Sequence, residues 1–214
     1  MKLPPGVRLR RRARTIVDRG RAVLAGSETG AVLRSVGMIT VAEAGLLREL
    51  AGAVPSGACI VEVGSYRGRS AVALAQGAAR NGVAVYAVDP HEAFTGVNGA
   101  SFGPADRRAF YRAMLRTGAA DTVRLVNLPS TVAAAGWHLP VGLLWVDGDH
   151  RAEAVRADWD AWAPHLTPTA RVALDDSTQP GSGPHQLIQV MTSRGWAVDR
   201  IVGKVTVLAP EAGG

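Results

Sequence analysis

Residues 58–70, ACIVEVGSYRGRS, constrain the fold more than any other stretch of the chain. Cys59, Ile60, Val61 and Val63 form a short apolar run without alternation, the pattern of a strand buried on both faces. Gly64 and Gly68 follow, and AVALAQGAAR then resumes apolar residues at helical spacing. Strand, Gly turn and helix in that order bring a ligand to backbone N–H groups at a helix N-terminus. An ordinary βα connection would use the same residue types. Glu62 weighs against it, because a carboxylate within a buried strand is costly unless something pairs with it.

The spacing also bears on the ligand. A dinucleotide-binding turn counted from Gly64 needs small residues at positions 66 and 69. Tyr66 and Arg69 stand there, which disfavours close approach of a pyrophosphate. Glu-x-Gly-x-x-x-Gly-x-Ser instead resembles the first motif of class I S-adenosylmethionine (SAM)-dependent methyltransferases. VEVGSYRGRSAVALA is similar in particular to the catechol and caffeoyl-CoA O-methyltransferases. The resemblance implies that Gly64, Ser65, Tyr66 and Ser70, with Gly68 beside them, hold the methionine carboxylate of SAM. It implies that Glu62 serves the ammonium end.

At 214 residues the chain is long enough for one domain with a full core. Apolar residues make up 47% and charged residues 20%, the balance of a soluble globular protein. No apolar run reaches the length of a membrane span, and the N-terminus lacks a signal-peptide core. Cys59 is the sole cysteine. An internal disulfide is therefore excluded, which fits a reducing cytoplasm, and Cys59 reads as a small core residue. The net charge of +6 is unevenly spread, with eight basic residues and one acid among the first 21. Residues 1–35 read as a basic, partly helical extension and residues 36–214 as the catalytic domain. The arm could meet nucleic acid, but no aromatic residue stands among its charges to stack on a base. A solvated helix, or a contact that joins two copies of the chain, is favoured.

Along the domain, Thr40 is placed to cap the helix VAEAGLLRELAGAV, with Glu43 as its capping-box partner. Met38-Ile39-Thr40 also resembles the segment of caffeoyl-CoA-type enzymes in which a Met and a Thr lie over the cofactor. A helix cap and a core Met explain the same residues. VAVYAV is a second buried strand and ends in Asp89, beside the Gly loop if the two strands are parallel neighbours. A carboxylate there can accept from both ribose hydroxyls; it can also cap the following turn. Residues 91–104, Gly-rich with Phe94 and Phe102, suggest a lid on the substrate side. VRLVN is a third strand. Ser130, followed by Thr131, opens a short helix where the related enzymes place adenine, and Ser130 could equally be an N-cap.

Val141 to Val146 reads as a fourth strand and ends in Asp147-Gly148-Asp149-His150. ARVAL is a fifth and ends in Asp175-Asp176. Sites of open parallel sheets lie beyond the carboxyl ends of the strands, so these acids and His150 converge on one rim. They would repel one another without a cation, and oxygen ligands suit Mg²⁺. Each Asp could instead cap the helix after it. The metal-dependent O-methyltransferases resemble this pattern, which implies Asp147, Asp175 and Asp176 as metal ligands, with Asp147 also near the cofactor. His150 stands where the catechol and caffeoyl-CoA enzymes have a lysine base, and imidazole suits that work. The Asp-Asp pair is closer to macrocin-type sugar O-methyltransferases. His185, in the loop after Asp176, either reaches the substrate or starts the next helix.

WAVDRIV and VTVLA, joined by Gly203-Lys204, close the chain as a hairpin. The expected fold is thus an α/β, doubly wound, seven-stranded, mostly parallel Rossmann-like methyltransferase sheet with an antiparallel last strand. The expected function is Mg²⁺-assisted O-methylation of a small-molecule hydroxyl, on a sugar or a catechol-like diol, with His150 as general base. Such enzymes tailor natural products, and the Ala-, Arg-, Gly- and Val-rich composition fits a high-GC bacterium. The alternative from another class is a non-catalytic SAM-fold module whose arm binds nucleic acid.

Overall fold

The computed structural model describes residues 27–97 and 99–211. The basic arm up to residue 26, with its expected helix and subunit contact, lies outside them. The first described helix, α1 (Ser27–Arg34), belongs to the segment set apart above as an extension. It packs Ala31 and Val32 into the main core.

Helix α2 (Val41–Gly52) begins with the expected capping box: Thr40 N donates to Glu43 Oε2 at 2.6 Å and Glu43 N to Thr40 Oγ1 at 3.3 Å. There follow β1 (Cys59–Val63), α3 (Arg69–Ala78), β2 (Val85–Val88) and a small hairpin, β3 (Phe94–Thr95) with β4 (Ser101–Phe102). Helix α4 (Pro104–Thr117), β5 (Val123–Val126), α5 (Ser130–Ala135), β6 (Val141–Val146) and α6 (Ala152–Trp162) come next. The chain continues through β7 (Leu166–Leu174), α7 (Gly183–Thr192), β8 (Trp196–Val202) and β9 (Val205–Pro210).

Seven strands form one sheet in the order β5-β2-β1-β6-β7-β9-β8. Strands β5, β2, β1, β6 and β7 are parallel; β9 is antiparallel to both β7 and β8. Unalternating strand sequences here mean burial on both faces. Ile60, Leu143 and Trp145 join the core under α1 to α4. Val61, Val63, Leu144 and Val146 join the core under α5 to α7. Strand order reverses at β1, which places a crevice over the carboxyl ends of β1 and its neighbours. The expected fold class is what the chain adopts.

Candidate active site

A cleft of about 570 Å³ opens over those carboxyl ends. Its lining includes Met38, Gly64, Ser65, Tyr66, Ser70, Asp89, Ser130, Thr131, Asp147, His150, Asp175 and Asp176. All were singled out by sequence. Thr40, Glu62 and Gly68 stand behind the wall: Thr40 caps α2, Glu62 lies inside β1, and Gly68 starts α3.

Asp89 organises the half of the cleft beside the Gly loop. Its Oδ2 accepts from the Ser65 and Tyr66 N–H groups, each at 2.9 Å. Its Oδ1 accepts from His91 N at 2.7 Å, so Asp89 is also the turn cap. Gly64 N donates to Val88 O at 2.9 Å and Gly68 N to Ser65 O at 2.8 Å. The N–H groups of the Gly64–Tyr66 turn are therefore committed within the protein. What faces the cleft beside them is Ser70 at the start of α3, where Gly68 supplies no side-chain cap. An uncapped helix N-terminus favours an anion. Gly64 has φ +82, and a Cβ there would come 2.7 Å from Gly148 Cα. Its missing side chain thus lets the ends of β1 and β6 touch.

Glu62 is fully buried, and neither carboxylate oxygen has a hydrogen-bond partner. Burial pushes its pKa up to about 8, against a pull from Ser70. At the far end of the cleft, Ser130 is not an N-cap; Pro129 holds that position. The Ser130 hydroxyl accepts from Trp162 Nε1 at 2.8 Å. Asp158 of α6, unnoticed in the sequence, is buried beside it, and burial raises its pKa to about 6. One acid among three in an amphipathic helix gives no signal until the helix is docked.

The acidic half gathers at β6 and β7. His150 Nδ1 lies 3.3 Å from Asp176 Oδ2, and its Nε2 lies 3.7 Å from Asp147 Oδ1. Burial alone would lower the imidazole pKa; the two carboxylates reverse this and carry it to about 10. Asp176 moves the other way, to about 2, with His150 the main cause. Asp147, His150 and Asp175 each bring one ligand atom within 4.8 Å of the others. The sequence reading missed Lys204. From the β8–β9 turn its Nζ reaches Asp175 Oδ2, and it lies 3.0 Å from Asp176 Oδ1. Asp149 also lines the cleft, where it pairs with Arg151 at 2.6 Å. His185 turns away, with Nδ1 3.0 Å from Ser177 O.

Among the described residues, three that are not glycine adopt positive φ: Tyr66 at 48°, His91 at 49° and Asp176 at 47°. All three line the cleft, as stored backbone strain at a functional site does. Tyr66, Phe94 and Phe102 form an aromatic wall, with ring centroids 5.2 and 5.7 Å apart. Among the described residues no helix is long and apolar enough to cross a membrane.

A family model described as a methyltransferase domain matches residues 61–177, over half of the chain. Among solved structures, the SAH-bound methyltransferase PaMTH1 of Podospora anserina aligns over 99% of this chain and 98% of its own, at TM-score 0.62 and 14% identity. The O-methyltransferase NovP aligns over 82% of each chain, at TM-score 0.60 and 15% identity. CalS11, the TDP-rhamnose 3'-O-methyltransferase of calicheamicin biosynthesis, aligns over 78% of this chain and 76% of its own, at TM-score 0.57 and 18% identity. Motif, sheet order and family match agree: the chain belongs to the methyltransferase-domain family and is a class I SAM-dependent methyltransferase.

Proposed function

We propose that the protein transfers the methyl group of SAM to a hydroxyl of a small molecule, a sugar or a catechol-like ring. The observation that carries this reading is the shared cleft. A cofactor half around Ser70 and Asp89 and a proton-handling half around His150 line one cavity. The O-methyltransferases NovP and CalS11 support the choice of oxygen, and CalS11's nucleotide sugar supports a tailoring role in natural-product biosynthesis.

The buried Glu62 carboxylate beneath the Gly loop, with Ser70 beside it, fits a cationic ligand group. Ser70 and the start of α3 fit a carboxylate, Asp89 fits ribose hydroxyls, and Ser130 with Thr131 fits adenine. When bound, SAM supplies an electrophilic methyl carbon on its sulfonium. The protein's work is then alignment and proton transfer. The aromatic wall of Tyr66, Phe94 and Phe102 excludes water and seats the acceptor; Met38 lines the opposite approach. Alignment of this kind supplies several kcal/mol of the barrier reduction. His150 accepts the acceptor's hydroxyl proton at a ring nitrogen, and Asp147 and Asp176 hold the imidazolium that results.

The residues do not fit the three-carboxylate Mg²⁺ set expected from Asp147, Asp175 and Asp176. Asp176 is engaged by His150 and Lys204, and Asp175 Oδ2 by Lys204. No step above uses a metal.

Isothermal titration with SAM and SAH tests the cofactor, and radiolabelled methyl transfer to panels of nucleotide sugars and catechols tests the acceptor. Binding of SAH with label recovered as an O-methyl ether is expected. Label recovered on nitrogen or carbon would overturn the hydroxyl assignment. Salt-sensitive polyanion binding without SAM affinity would favour the non-catalytic module.

A further inference from the structure

The acids at the ends of β6 and β7 crowd one another, and a buried carboxylate is held as an ion only by a partner. The chain brings one of its own. Lys204 Nζ contacts Asp175 Oδ2 and lies 3.0 Å from Asp176 Oδ1. Asp175 is 1% exposed, so its counterion cannot come from solvent.

The lysine is held by its backbone as well as by its charge. Its N–H donates to Glu43 Oε1 at 3.1 Å. Its carbonyl accepts from Ser177 N at 3.0 Å and from Ser177 Oγ at 3.2 Å. Glu43 is 2% exposed, and its other oxygen closes the capping box of α2. It cannot release Lys204 by turning to solvent. Gly203, at φ +60, lets the turn come this close: a Cβ there would meet Glu43 Cδ at 3.1 Å. Lys204 is therefore built into the rim from three sides.

We infer that Lys204 is the resident cation of this acidic rim, in the place a divalent ion would otherwise take, and that methyl transfer proceeds without metal. The second half of the inference rests on the O-methyltransferase reading; the first half does not. An ammonium has three N–H bonds. Two face Asp175 and Asp176. The third serves an acceptor oxygen in the cleft that Lys204 lines, where it would orient a lone pair and favour the oxyanion. A divalent ion on Asp175 Oδ2 or Asp176 Oδ1 would have to displace Lys204.

The test uses the full chain and Mn²⁺ as the probe. Free Mn²⁺ is read by electron paramagnetic resonance in wild type and in Lys204→Met, each with SAH added. Wild type should leave the ion in solution. Lys204→Met keeps the stem but removes the charge, and it should bind Mn²⁺ about tenfold more tightly or better. Uptake of Mn²⁺ by wild type would overturn the inference. So would a Lys204→Met protein that circular dichroism shows folded and that binds no more Mn²⁺ than wild type. Should that variant fail to fold, the wild-type titration decides alone. Calorimetry with SAH separates the two readings: no SAH binding would overturn the methyltransferase function and leave the cation assignment standing.

Discussion

Arg151 Nη2 donates to the Thr95 carbonyl at 3.1 Å. The same guanidinium sits over the Phe94 ring at 5.4 Å and pairs with Asp149 at 2.6 Å. The β3–β4 hairpin is thereby latched to the loop after β6, across the mouth of the cleft. Two-residue strands hold little by themselves. Arg151→Ala should leave the thermal midpoint nearly unchanged and speed backbone hydrogen exchange across residues 94–102. Exchange as slow as in wild type would show that the aromatic wall holds the hairpin alone.

Asp89 links the Gly loop to β2 with acceptors on both oxygens. Asp89→Ala leaves the Ser65 and Tyr66 N–H groups without their partner and removes the proposed ribose contact. Charge-assisted hydrogen bonds are worth about 1.5–3 kcal/mol each. SAH affinity should fall by about tenfold or more, measured by calorimetry. An Asp89→Ala protein that is folded and binds SAH as tightly as wild type would remove the residue from the site.

Gly64 is often a ligand-approach glycine in such loops, but here its missing side chain faces the backbone of Asp147 and Gly148. Gly64→Ala should therefore cost stability before it costs affinity. At a compatible site Gly→Ala stabilises by up to about 1 kcal/mol; at this positive φ and close contact the loss should exceed that amount. A lowered thermal midpoint without cofactor checks this; an unchanged midpoint contradicts the close approach.

His150 carries the pH dependence. Its folded pKa, near 10, lies above its ordinary value of 6.5. The stabilising pair with Asp147 and Asp176 is thus fully present between 3.8, the ordinary value of Asp176, and about 6.5; it is lost as pH falls through about 2 and as pH rises through 10. The base form appears over the same interval, so turnover should climb through the alkaline range. Asp176→Asn removes one carboxylate and should move that limb to lower pH. His150→Ala should cost about 10²–10⁴-fold in rate, less at high pH. A profile that Asp176→Asn leaves in place would assign the proton to another group.

The parallel sheet was legible because strands buried on both faces write themselves as unbroken runs, CIVEV and VGLLWV among them. Thr40 and Glu43 announced their capping box by spacing alone. Lys204 was illegible for a physical reason. Gly203-Lys204 is ordinary turn chemistry, and its value depends on β9 entering the sheet antiparallel, a pairing between residues far apart in sequence. Thr206 of β9 pairs with Leu174 of β7, which sets the turn beside Asp175. The acids at Asp175 and Asp176 pointed by sequence to a cation, Mg²⁺; Lys204 is the cationic side chain that the fold brings to them. Glu43 hides its second duty likewise: only tertiary packing brings it to Lys204 N.

The arm remains the basic segment of the sequence. Deleting residues 1–21 should leave a folded chain that binds SAH, since α1 and everything after it build the core. Aggregation of the shortened chain would show that the arm covers apolar surface.

Placing β9 between β7 and β8 also sets an order of events during synthesis. A nascent chain that has emerged only through Asp176 can assemble β5-β2-β1-β6-β7 and no more. Strand β7 is then an open edge, and its far end carries two carboxylates with no lysine to answer them. Charge at an open edge discourages pairing with a second chain. Arrival of the closing hairpin covers that edge and neutralises those acids in the same step. The repulsion that guards the half-made sheet is extinguished by the segment that completes it.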